Sequence, residues 1–238
     1  MNSKTETRNA ERRRAWWKVF HSSLPHLLTS ALLAFIALGG FASSYFPEFY
    51  HEWKPEVGCW STYRITDSDE QEAADLTFAI VGEEKGQHWL ELRTTTGGAT
   101  AVAAFLVKGD PTEDDNVLAV RAQDAGGPAI EISKAALERL KARGDSSFGS
   151  SALPIGPRVG KLEGLPDETL KVAGKSLKCR RVKIVAPDGE SADVWMNDSV
   201  APFGLVKLVS GPEQVVLTDF GKGAAGTLKG PYMPLEVP

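Results

Sequence analysis

Histidine and cysteine are scarce: 238 residues hold four His and two Cys. His21, His26 and His51 lie in or beside an apolar N-terminal run, which leaves His88 alone in the remainder. A zinc site needs three or four Cys, His or carboxylate ligands within tetrahedral reach, so His88 reads as an ordinary strand residue. The same scarcity leaves no Ser-His-acid or Cys-His set, and no Gly-x-Ser-x-Gly elbow occurs. A phosphate loop is missing too: Gly174-Lys175-Ser176 has Thr169 where the first glycine is required, and Gly160-Lys161 runs into Leu162. The acidic groups at 67–72 and 113–115 lack the ligand spacing of a calcium loop and read as solvated turns. No cofactor is expected from these residues, and an enzyme is the least expected function.

Positive charge is also lacking, except at one end. Residues 1–20 carry Lys4, Arg8, Arg12, Arg13, Arg14 and Lys18 against Glu6 and Glu11, so this segment is +4 and the rest of a chain of net charge -4 is -8. An acidic remainder lacks the electrostatic footprint of phosphate-backbone binding, which argues against nucleic acid as a partner. The basic end precedes a run without any charge at 24–46, which as a helix would be roughly 34 Å long, enough to cross a hydrocarbon core. Basic residues before it and Glu48, Glu52 and Glu56 after it keep the N-terminus in the cytoplasm by the positive-inside bias.

The expected organisation is a cytoplasmic basic segment at 1–23, a transmembrane anchor or signal at 24–46, a linker at 47–56, a β-rich extracytoplasmic domain at 57–221, and a Gly/Pro-rich tail at 222–238. Trp16 and Trp17 on one flank and Tyr45, Phe46, Phe49, Tyr50 and Trp53 on the other suit a retained anchor in the inner membrane. Gly40-Phe41-Ala42 keeps open cleavage and release to the periplasm. Arg13-Arg14-Ala15-Trp16-Trp17-Lys18 fits the loose pattern of a twin-arginine signal, while Cys59 lies too far beyond the run to take a lipid. On this topology Cys59 and Cys179 share an oxidising compartment, where a disulfide between them is expected, with two separately buried thiols as the alternative.

Short apolar-alternating runs separated by turns fill the domain. Strands are expected at 57–66, around Leu76, Phe78 and Ile80, and at 88–95, 99–107 and 116–123. A helix at 134–143 is capped by Ser133 and ended by Gly144. Residues 145–164 read as a Gly/Ser/Pro-rich loop. Strands at 168–173 and 176–186 flank a hairpin at Gly174-Lys175, and others follow at 192–197, 204–209 and 214–220. Tight turns force antiparallel pairing, and about ten strands in one sheet must curl or close. The expected fold is therefore mainly β, a strongly curved antiparallel sheet or half-barrel whose inner face is partly covered by the helix and the 145–164 loop. A two-sheet sandwich is the alternative.

Four stretches carry a resemblance. Val57-Gly58-Cys59-Trp60-Ser61-Thr62-Tyr63, the segment from Gly82-Glu83-Glu84 to Trp89-Leu90-Glu91, Cys179-Arg180-Arg181-Val182, and the segment from Val194-Trp195 to Pro202-Phe203-Gly204-Leu205-Val206-Lys207 resemble a family of uncharacterised bacterial envelope proteins. That family is similar in architecture to the LolA/LolB group of lipoprotein carriers. The resemblance spans 57–226 and implies a half-barrel sheet with a helical lid. A retained anchor would make this chain a tethered module, not a free shuttle.

Large aromatics on strands remain: Trp60, Tyr63, Phe78, Trp89, Phe105, Trp195, Phe203 and Phe220. They read as core, or some line a water-excluding groove suited to an acyl chain. Trp60, Trp89 and Trp195 sit among polar neighbours, face away from the obvious core positions, and are the candidate ligand-binding residues. The sequence thus points to a membrane-tethered binding module for a lipid, lipoprotein or other hydrophobic ligand, or to an envelope structural or protein-interaction module.

Overall fold

Alternation builds the centre of the sheet. The computed structural model describes residues 53–67, 70–111, 116–123, 127–142, 161–185, 189 and 191–235. The basic segment, the 24–46 run, most of the linker, the expected helix end at Arg143 and Gly144, and residues 145–160 of the expected loop lie outside the described residues. No helix among the described residues is long and apolar enough to cross a membrane.

Six strands run outward from the middle of one sheet: β1 (Trp60–Asp67), β2 (Glu70–Glu84), β3 (Gln87–Thr96), β4 (Ala99–Val107), β5 (Val117–Gln123) and β6 (Ile130–Ser133). After α1 (Lys134–Ala142) a second meander enters from the far edge: β7 (Lys161–Val172), β8 (Lys175–Val185), β9 (Ser191–Met196), β10 (Leu205–Ser210) and β11 (Glu213–Gly221). β11 pairs antiparallel with β1 and joins the two meanders, and β12 (Met233–Pro234) adds beside β6. The order β12-β6-β5-β4-β3-β2-β1-β11-β10-β9-β8-β7 makes a single twelve-stranded sheet that is curved and not closed. Every pairing is antiparallel except β12 with β6.

Register shows why one face packs. Phe78 stands opposite Ser61 and Leu92, Ile80 opposite Leu90, Leu90 opposite Phe105, Phe105 opposite Val120, and Val120 opposite Ile132. Since strand side chains alternate between faces, these residues form one apolar row across the first meander. All of them but Ser61 are core hydrophobics and all are buried. Tyr63 continues the row into the second meander, opposite Leu76 on one side and Leu217 on the other. Its hydroxyl donates to the Leu205 carbonyl at 3.0 Å, so this buried phenol is satisfied.

Among the described residues two features cover this face. α1 is capped where Ser133 Oγ accepts from the Ala136 amide at 3.3 Å, and it buries Ala136 and Leu137. Phe203, on the loop before β10, meets Phe78 edge-on at 5.0 Å and packs against Trp53 at 5.2 Å. Farther along, the β7–β8 hairpin extends past β9 and curls back until Lys175 Nζ lies 4.4 Å from the Phe220 ring on β11.

Three expectations change. β7 begins at Lys161, inside the expected 145–164 loop, because 161–165 find partners at 181–185 of β8. Of the acidic turn expected at 67–72, Asp67 ends β1 and Glu70, Gln71 and Glu72 open β2. The hairpin turn is Ala173-Gly174, both left-handed (φ 47° and 78°), the geometry that matches strand twist in a two-residue loop.

Candidate functional site

The register places the three candidate tryptophans on the face opposite the packed row, but on β1, β3 and β9; Trp195 is buried and packs with the hydrophobic core, and none of the described ring contacts joins two of them. Trp60 lies over Gly221, where an added Cβ would come 3.2 Å from the indole nitrogen, so glycine there makes room for the ring. Trp89 lies under the Arg121 guanidinium at 4.0 Å. Trp195 donates from its indole nitrogen to Glu168 Oε2 at 2.7 Å, with Arg181 and Lys207 over its ring at 4.7 and 5.0 Å. Each ring is therefore engaged by the chain's own groups, and they do not assemble one groove.

The expected disulfide is a correction. Cys59 and Cys179 are free thiols, both buried. Cys59 immediately precedes β1 and Cys179 lies on β8, with β11, β10 and β9 between those strands in the sheet order. Alkylation after denaturation is expected to label both thiols, and reduction is expected to leave gel mobility unchanged; a mobility shift on reduction would restore the bridge.

Sequence reasoning missed the most developed polar cluster, which lies on the outer face of β3–β6. Glu91 is completely buried, although it is a carboxylate in the middle of a strand. It accepts from the Thr227 amide and hydroxyl, each at 2.8 Å, and from the Leu228 amide at 3.5 Å, with Arg93 Nε 3.4 Å away. Buried carboxylates persist when such donors replace lost hydration. Next to it Arg121 is held between two rings, Trp89 and Tyr232 (4.3 Å), while its Nε donates to Glu131 Oε2 at 2.6 Å.

The tail expected at 222–238 to be Gly/Pro-rich thus runs, through its described residues, as a strap over this face. It starts where the Ala224 amide donates to Gly58 O at 2.9 Å; Gly58 has φ +88°, and a Cβ there would come 3.3 Å from Gly223. It ends where Met233 and Leu235 donate to Ala129 O and Glu131 O at 2.9 and 2.8 Å. The only sequence signal for this cluster was the row Trp89, Glu91, Arg93 on alternate positions of one strand. What Glu91 binds lies more than 130 residues away.

Chemically, the arrangement grips an extended segment: a carboxylate for main-chain amides, a hydroxyl contact, and a guanidinium for an aromatic ring. Among the described residues no group of three His, Cys, Asp or Glu side chains is placed to hold a metal ion.

No family model matches this sequence, and no curated protein matches it. Solved structures show a weak likeness to it. A chain of the Pseudomonas aeruginosa MucA/MucB complex is 12% identical with a TM-score of 0.40 over 82% of this chain and 57% of that one. The hypothetical protein CT021 of Chlamydia trachomatis is 8% identical with a TM-score of 0.39 over 76% of this chain and 93% of that one. A Vibrio parahaemolyticus domain ascribed to outer membrane lipoprotein sorting is 10% identical with a TM-score of 0.24 over 73% of this chain and 87% of that one. This chain spans from 31% to 61% of four of the chains it matches. The likeness is a weak one to envelope-protein folds, and no functional argument rests on it.

Proposed function

We propose that the protein is an extracytoplasmic interaction module, tethered by its N-terminal segment, that recognises a protein partner. One observation carries this reading over a lipid carrier: the apolar face of the sheet is filled by the chain's own side chains. Tyr63, Leu76, Phe78, Ile80, Leu90, Leu92, Phe105 and Phe203 are all 7% exposed or less, and the large apolar side chains that stand exposed among the described residues are Val57, Leu162 and Met233, on separate elements. An acyl-chain site needs an apolar cavity that the protein leaves vacant. The outer face instead presents polar groups arranged for main chain and aromatic contacts.

Crosslinking of the full chain in native membranes is expected to capture a defined protein partner. Native mass spectrometry of the purified chain is expected to show no bound lipid. Recovery of stoichiometric lipid with no crosslinked partner would reverse the assignment in favour of the hydrophobic-ligand module.

A further inference from the structure

We propose that the outer face of β3–β6 is the recognition site of this module, built for an extended segment of the partner protein, and that residues 224–235 occupy it until the partner does. The inference rests on the interaction-module reading and names its site. The hold on the strap is largely polar. Glu91 takes main-chain amides of Thr227 and Leu228, which any extended segment supplies, and adds one hydroxyl contact. The sequence-reading contacts are the Thr227 hydroxyl and, five positions on, the Tyr232 ring against Arg121.

Release is physically cheap because of what it uncovers. With the strap gone, Glu91 faces water, so its carboxylate exchanges protein donors for hydration and is not left buried without partners. No side chain from 222 to 235 is fully buried, and of these Leu235 packs, partly buried, against the core, so the apolar surface lost is limited. The sheet edge gives the same indication. β12 covers β6 with two residues only, Met233 opposite Ile130 and Pro234 opposite Glu131, and a partner segment can extend that pairing. The opposite edge, β7, is blunted against such pairing by a register shift spanning Pro166 and by Lys161, Glu163, Asp167, Glu168 and Lys171.

The partner segment is therefore extended, with a hydroxyl residue followed five positions later by an aromatic.

The test uses the full chain and a labelled synthetic peptide of residues 224–235. Substituting Thr227→Ala and Tyr232→Ala together loosens the strap, and this variant is expected to bind the peptide about tenfold more tightly than the unaltered chain, because the competing occupant is weakened. Adding Glu91→Gln or Arg121→Met is expected to abolish that gain. In the unaltered chain, the Met233 and Leu235 amides are expected to exchange hydrogen at least about tenfold faster than those of Leu90 and Leu92, through local opening. A loosened variant that binds the peptide no better, or strap amides protected as strongly as the β3 core, overturns the proposal and makes the strap a fixed part of the fold. A partner crosslinked elsewhere, with the strap closed, leaves the interaction module standing without this site. Peptide binding with no partner captured in membranes has the opposite meaning.

Discussion

Raising the pH from 8 to 11 is expected to destabilise the protein steeply, with the urea midpoint falling throughout that range. Burial pushes the Tyr63 phenol far above its ordinary value, and burial likewise pushes the Cys59 and Cys179 thiols up. In the unfolded chain thiols titrate near 8.5 and phenols near 10. The folded state therefore holds protons that the unfolded state releases. Stability is fully present below the unfolded values and is lost as pH rises toward the folded ones, by up to about 1.4 kcal/mol per pH unit for each group. The thiols act first and Tyr63 joins above about pH 10. Tyr63→Phe is expected to flatten the upper part of the profile at some cost at neutral pH, since the Leu205 carbonyl loses its donor at 3.0 Å. Replacing both cysteines by alanine is expected to flatten the lower part. A urea midpoint that does not move between pH 8 and 11 would contradict the buried, neutral state of these groups.

Phe78→Ala is expected to cost about 3 to 5 kcal/mol, read from urea unfolding at neutral pH. Phe78 is 1% exposed and meets two other rings, Tyr63 at 6.0 Å and Phe203 at 5.0 Å, both edge-on. Edge-on pairs add about 0.5 to 1.5 kcal/mol beyond area burial, and Phe203 would lose its support against Trp53 as well. Against a total stability of about 5 to 15 kcal/mol this is a large share. The substitution also separates the two functional readings. Were the packed face an acyl-chain groove, removing a lining ring would alter binding and leave the fold nearly as stable. A loss of stability without any change in lipid content is the outcome that the filled face requires.

The strands were legible in the sequence where local chemistry suffices. The 99–107 strand, the Ser133 cap of α1 and the apolar alternation of Leu76, Phe78 and Ile80 depend on neighbours within a few residues, and the structure has them at or near the expected positions. The edges of the sheet were less legible. β6 and β12 are four and two residues long, too short for a period to show, and β7 carries a register shift between Leu165 and Glu168 that breaks its alternation. The three tryptophans show a further limit. Polar neighbours on a strand indicate that a ring faces away from the core row, yet they do not say what lies over it. Here that is Gly221 on the next strand, Arg121 two strands away, and Arg181 with Lys207 on either side.

The sequence by itself determined that, among the described residues, antiparallel strands joined by tight turns carry one capped helix, because turn glycines and two-residue periodicity act over short distances. It also supplied the basic-then-apolar N-terminal pattern from which an extracytoplasmic address is expected. Tertiary structure alone decided three things: that β11 closes onto β1, that the cysteines stay apart as thiols, and that Glu91 holds the C-terminal strap. Each depends on residues more than 100 positions apart, and the free energy that brings them together comes from burying one continuous apolar row, which no local pattern encodes.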